Sequence, residues 1–92
     1  ASGLNMIGEL YLEIDDLTVA QDYFKQSLNL SAEINSRLDL ANANYNLGLL
    51  YKQQGRKNIA REHWRQAQEI YRSVDPDKYQ EIRTELLELD NN

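Results

Sequence analysis

The 92-residue chain contains no cysteine, a single proline and four glycines. Without cysteine there is no disulfide and no thiolate metal site, which permits an intracellular protein and leads us to expect a cytoplasmic one. So few turn-forming residues argue against a fold of β-hairpins. No apolar run approaches the roughly 18 residues of a membrane span. The start lacks both a secretory-signal pattern and an initiator methionine, so we expect a piece of a longer protein.

Positive charge is scarce and unevenly placed. The chain has 10 basic and 15 acidic side chains, for a net charge of −5. Phosphate backbones require clustered positive charge, so this balance argues against nucleic acid as the main partner. The counter-argument is residues 52–72, which carry six basic side chains against two acidic ones. The arginines there recur about every four residues on a predicted helix, which is typical of a solvated face.

Residues that could carry catalysis or hold a metal are equally few. His63 is the only histidine, and its place beside Trp64 on a predicted helix favours a packing or surface role. All four glycines are isolated, which excludes a glycine-rich phosphate loop. Glu9 and Glu13 could form an acid–base or metal pair, but a solvated helix end explains them better. We therefore expect no catalytic residue, no cofactor and no metal.

What the chain does contain is an internal repeat at an offset of 40 residues, from Gly8 to Gly48. Glycine inside a helix costs about 1 kcal/mol. We therefore expect both glycines to let a partner helix come close, meeting the small residues Ala20 and Ala60. The first copy reads Leu4-x-x-Ile7-Gly8-x-x-Tyr11, then Ala20-x-x-x-Phe24, and the second reads Asn44-x-x-Leu47-Gly48-x-x-Tyr51, then Ala60-x-x-x-Trp64.

Apolar residues at helical spacing, such as Leu4, Ile7, Tyr11 and Ile14 on one face, predict five helices. Asn35 can take the left-handed conformation that ends a helix. Asp15-Asp16 and Gln54-Gly55 mark turns inside the two hairpins. Asp75 can cap the last helix, with Pro76 in its first turn. The predicted helices cover residues 2–13, 17–35, 37–53, 57–73 and 77–89.

The repeated residues resemble the tetratricopeptide repeat, whose signature places an aromatic residue, Leu-Gly, Tyr, Ala and Phe at these separations. The resemblance covers about residues 1–73, and the period of 40 is typical of the long variety of this repeat. It implies an all-α fold, with two antiparallel helical hairpins (residues 1–36 and 37–74) in a tetratricopeptide-like superhelix. A C-terminal capping helix (residues 75–92) closes it, and a divergent third repeat is the alternative for this helix.

The resemblance also implies a protein–protein interaction scaffold whose first helices line a concave groove. Amide side chains there can bond a peptide backbone through either group. Glu9 would repel a C-terminal carboxylate, which disfavours the subtype that grips one. A polar face covered by neighbouring repeats is the alternative. The implied groove residues are Asn5, Glu9, Glu13, Asn42, Tyr45, Asn46, Leu49 and Gln53, with Ser2, Leu12 and Lys52 beside them.

Three hypotheses about function remain open. The chain binds a protein or peptide in the groove, serves as a structural spacer or self-assembly element, or regulates a multidomain signalling protein. We expect neither nucleic acid nor membrane as a partner. Because the helix matching helix 1 begins near Arg37, well before Ala41, helix 1 is expected to lack its first turn and a preceding neighbour. Its uncovered apolar surface would favour homo-oligomers.

Overall fold

A computed structural model describes residues 2–91, and side-chain surroundings from Gly3 onward. Within that range the chain forms five α-helices. The predicted all-α class is confirmed, and each predicted helix end lies within two residues of the observed one. The helices are α1 (Ser2–Glu13), α2 (Leu17–Glu33), α3 (Arg37–Gln53), α4 (Lys57–Val74) and α5 (Pro76–Asn91).

The three turns that connect α1 through α4 share one local structure. Each contains a left-handed residue, with φ of 66° at Asp15, 57° at Asn35 and 78° at Gly55. The next amide donates to a carbonyl in the last turn of the preceding helix, at 2.8–2.9 Å. This is the Schellman motif, which satisfies carbonyls that the helix end leaves open. The left-handed conformation predicted at Asn35 is confirmed.

The helices stack in chain order around one core. Each helix packs against the next, and α1 also touches α3. One face of α5 is apolar, because Ile82 and Leu89 are buried in the core and Tyr79 and Leu86 pack against it. Asp75 accepts a bond from the amide of Lys78 at 3.3 Å, as a helix cap does. In this way α5 covers the last hairpin.

Gly8 and Gly48 lie where an aromatic ring of the following helix crosses. A Cβ atom at Gly8 would lie 2.5 Å from Cε1 of Phe24, and one at Gly48 would overlap the indole of Trp64. The atoms nearest to such a Cβ belong to the rings one turn beyond Ala20 and Ala60, the residues that the glycines were expected to meet. Both glycines therefore create space for a large side chain.

The apolar stripe predicted on α1 is only partly covered. Leu4 and Tyr11 are half-buried, whereas Ile7 and Ile14 are exposed. The residues added to the 34-residue period lie where α2 ends and α3 begins, and Leu30, Ile34 and Leu38 stay exposed there. These side chains do not join the core, so the longer helices lengthen the hairpin without adding these residues to its core.

Replacing Gly48 tests the close contact with Trp64. We expect Gly48→Ala to lower stability by about 1–3 kcal/mol, and Gly48→Leu to lower it further or unfold the protein, because the ring is fully buried and has little room to move. Thermal unfolding followed by circular dichroism measures both. Gly3→Ala is the control, because nothing lies within 4 Å of a Cβ atom there. A midpoint for Gly48→Leu within roughly two degrees of the parent would contradict this account.

Candidate functional site on the concave face

A pocket of about 300 Å³ opens between α1, α3, α4 and α5. It contains side chains from every helix except α2, so it exists only when both hairpins and the closing helix are assembled. The residues that line it are Asn5, Met6 and Glu9 of α1, Asn42, Tyr45 and Asn46 of α3, Tyr71 of α4 and Lys78 of α5. Five of these eight were among the groove residues implied by the sequence, and their contact with a ligand stays a prediction.

The α1 side of the pocket combines a carboxylate with two amides. The amide nitrogen of Asn46 donates to Oε1 of Glu9 at 3.3 Å, which connects the first helices of the two hairpins. Asn5 is only 5% exposed, yet neither its amide oxygen nor its amide nitrogen has a hydrogen-bond partner among the described residues. Buried polar groups are nearly always paired, so Asn5 is the anomalous residue of this site.

On the α3–α4 side of the pocket, the phenol of Tyr71 connects the two helices. The Tyr71 hydroxyl donates to Oδ1 of Asn42. Burial raises the pKa of Tyr71 above its ordinary value, and the nearby charges of Asp75 and Glu81 raise it further. Tyr71 therefore stays protonated and keeps its donor role at any pH near neutrality. With Oδ1 of Asn42 occupied, its amide nitrogen remains as a second donor at the pocket.

The closing helix contacts Tyr45 through two side chains. The Tyr45 hydroxyl donates to Oε1 of Glu85 at 2.9 Å, and Nζ of Lys78 lies 4.6 Å from the centre of the Tyr45 ring. Burial raises the pKa of Tyr45, and the negative charge of Glu85 raises it further. Burial also raises the pKa of Glu85, whose Oε2 atom is buried without a partner among the described residues.

Three implied groove residues do not join the pocket. Glu13 is exposed beside a separate shallow depression, lined also by Ile7 and Leu10, on another face of α1. Leu49 is half-buried and packs against the core. Gln53 is exposed at the end of α3. The side chain of Ser2 lies outside the described residues.

The sequence reasoning missed Met6, Tyr71 and Lys78. A signal existed for Lys78, because a helix that closes a repeat array takes the place of the next first helix and can line the same groove. Tyr71 lies on α4, the second helix of its hairpin, whereas the implied groove residues all belong to first helices. It lies about two turns beyond Trp64, and its hydroxyl reaches Asn42.

His63 has the packing role that was expected of it. Its ring stacks on Tyr51 with 5.6 Å between centroids, and its Nδ1 lies 2.9 Å from Oδ1 of Asn44. Burial lowers its pKa, which favours the neutral ring. Residues 2–91 contain no group of three or more histidine, cysteine or acidic side chains placed to hold a metal ion. In that same span, no helix is both long and apolar enough to cross a membrane.

Short helical hairpins with a shared turn, stacked in chain order and closed by a fifth helix, define a helical-repeat protein. The profile of the tetratricopeptide repeat matches residues 1–84, and the chain belongs to this family. No curated protein and no solved structure matches the chain. Tetratricopeptide repeats generally mediate protein–protein interactions, and the family is typically a non-catalytic scaffold.

The burial of Glu85 predicts a pH-dependent effect on stability. Its raised pKa means that the ionised carboxylate disfavours the folded state, an effect present above the folded pKa and absent below the unfolded value of about 4.5. Glu85→Gln keeps the acceptor for Tyr45 and removes the charge. We expect its melting temperature relative to the parent to be higher at pH 7 than at pH 4. Glu88→Gln, exposed on the same helix, should show a smaller difference between the two pH values.

Proposed function

We propose that the concave face binds a peptide segment of a protein partner, with the pocket between α1, α3, α4 and α5 as its centre. The observation that carries this proposal is that amides, phenols, one carboxylate and one ammonium group from four helices meet in a single pocket. Such a mixture suits an extended peptide, whose backbone offers both hydrogen-bond donors and acceptors. Its side chains can offer either group as well.

The carboxylate of Glu9 favours a basic residue of the ligand on the α1 side of the pocket, whereas Lys78 lies on the α5 side. Glu9 is exposed, and the amide of Asn46 holds its carboxylate in place. A lysine or arginine beside this carboxylate would be steered into register, because opposite charges guide docking more than they add affinity. Two hairpins give a short groove, so we expect affinity of roughly micromolar or weaker.

Substitution at Glu9 tests the proposed preference for a lysine or arginine on the peptide. A library of N-acetylated, C-amidated hexapeptides with one position fixed at a time, screened by fluorescence anisotropy, should favour lysine or arginine over glutamate. Glu9→Gln should abolish that preference, since it removes the charge and keeps the acceptor for Asn46. Glu13→Gln is the matched control, because Glu13 lies outside the pocket. Tyr45 and Asn46 make poorer targets, because both are bonded within the fold.

Peptide binding to the basic residues of α4 would contradict the proposed pocket. Arg65 is exposed and lines a shallow depression formed by α4 residues alone, away from the pocket. Arg61 is already bonded to Asp90 of α5, through Nε at 2.8 Å. If peptides lose affinity for Arg65→Ala and bind Glu9→Gln as well as the parent, the partner docks on α4 and the proposed pocket is wrong.

The second candidate function is self-assembly through α1. Met6, Leu10 and Ile14 are 65%, 63% and 70% exposed and form an apolar stripe at i, i+4 and i+8. At the matching positions of the second hairpin, Asn46 and Leu50 are only 4% and 0% exposed. The second hairpin has α2 packed in front of it, whereas the described residues place no helix in front of α1. A second copy of the chain can cover the stripe.

We expect the chain to form dimers or larger species at the concentrations used for crystallisation. Sedimentation velocity over a concentration series measures this. Leu10→Glu should shift the equilibrium to monomer, because it places a charge in the buried contact. Leu87→Glu on α5 is the control, since Leu87 is also an exposed leucine but lies outside the stripe. Monomer alone at the highest concentration would remove this candidate. A regulatory role beside other domains and a cytoplasmic location stay predictions.

A further inference from the structure

A cation of the protein itself covers the ring of Tyr45. Nζ of Lys78 lies 4.6 Å from the centre of this ring, close enough for the negative ring face to attract the ammonium group. Both side chains line the pocket between α1, α3, α4 and α5. The ring is therefore a cation-binding surface at the pocket, and in the free protein a side chain of the closing helix occupies it.

The contacts that hold Lys78 in this place are weak. Its side chain is 36% exposed, and its ion pair with Oε2 of Glu81, at 3.5 Å, joins two residues three apart on the surface of α5. Surface ion pairs of this kind contribute little stability, and exposed side chains change rotamer rapidly. Lys78 can therefore turn into solvent without any change in the backbone of α5.

Two carboxylates lie beside the ring. The Tyr45 hydroxyl donates to Oε1 of Glu85 at 2.9 Å, and Glu81 is paired with the ammonium group that covers the ring. Burial raises the pKa of the Tyr45 phenol, and the negative charges of both glutamates raise it further. Besides Lys78, Lys52 of α3 is the cation that acts on Glu85. With Lys78 turned away, two carboxylates face one ammonium group, and the ring attracts another cation.

We propose that an arginine or lysine of the bound peptide displaces Lys78 and takes its place on the Tyr45 ring, beside Glu81. The inference rests on the proposed peptide-binding function, and it adds a second cation site to the one at Glu9. Arginine suits this second site best, because a guanidinium group stacks flat on a ring and bonds a carboxylate through two donors. Lys78 is then an internal competitor that weakens binding of the partner.

The opposite role for Lys78 is a direct contact with an acidic residue of the peptide. The charges at the pocket disfavour this role, since Glu9 lies on the α1 side and Glu81 and Glu85 lie beside the ring. An acidic side chain would also have to separate Lys78 from Glu81. The two roles predict opposite effects of removing the ammonium group, because a competitor lowers the affinity for the peptide and a contact raises it.

Paired peptides isolate the second cation site. Capped hexapeptides keep one lysine for Glu9, and each remaining position carries in turn arginine or citrulline, the uncharged counterpart of arginine. Fluorescence anisotropy should find a position at which the arginine peptide binds more tightly than the citrulline peptide. For that pair, Lys78→Gln should raise the affinity for the arginine peptide about threefold or more and change the affinity for the citrulline peptide less.

The control is Lys25→Gln on α2, which makes the same change in net charge at an exposed side chain outside the pocket. It should leave the affinity for both peptides unchanged. If no position favours arginine over citrulline, the second cation site does not exist. If Lys78→Gln binds the arginine peptide no more tightly than the parent does, Lys78 is not a competitor and the proposal is wrong.

NMR can observe the displacement in the parent protein. An aromatic ring shields protons above its face, so the Hε protons of Lys78 should resonate upfield of those of Lys25, and Lys78→Gln identifies the signal by its loss. Saturation with the arginine peptide should return it to an ordinary position. A signal that stays upfield at saturation shows that Lys78 remains on the ring, in which case peptide binding stands and the displacement is wrong. If no hexapeptide binds at all, the proposed function fails with it.

Discussion

The contact between a glycine and an aromatic ring determines how closely the helices of each hairpin approach. At Gly48 the missing side chain leaves room for the Trp64 indole, whose Nε1–H donates to the carbonyl of Tyr45 at 3.1 Å. That bond fixes the ring and the α3 backbone together. Tyr45 in turn presents its ring to Lys78 and its hydroxyl to Glu85 of α5. The missing side chain of Gly48 is thus connected, through Trp64 and Tyr45, to the residues that line the pocket.

Most of the fold could be predicted because its determinants are local. The apolar spacing of 3.6 residues and the residues able to take a positive φ specify helices and turns without reference to distant groups. The identity of the glycine's neighbour could not be obtained this way. Whether Ala60 or Trp64 lies over Gly48 depends on how far α4 slides along α3, which the internal repeat at offset 40 leaves open.

The site was predictable only in part, for a related reason. Asn42 lies one helical turn before Tyr45 and Asn46 on α3, and all three line the pocket. Leu49 and Gln53 continue the same stripe, yet they leave the pocket because one packs into the core and the other lies at the helix end. Lys78 enters from a helix outside the two matched copies. The missing partners of Asn5 depend on every neighbouring side chain, so no pattern in the sequence could reveal them.

The regular turns have a consequence for how such chains can grow. Helices α2, α3 and α4 begin at residues 17, 37 and 57, so this part of the chain completes one helix and one turn every 20 residues. The 40-residue block 17–56 holds two whole helices and two whole turns. Inserting a copy of it after residue 56 leaves each glycine in phase with its ring and each cap with its helix. Lengthening by tandem duplication therefore requires no new packing solution, which is how repeat arrays of one design can differ in length.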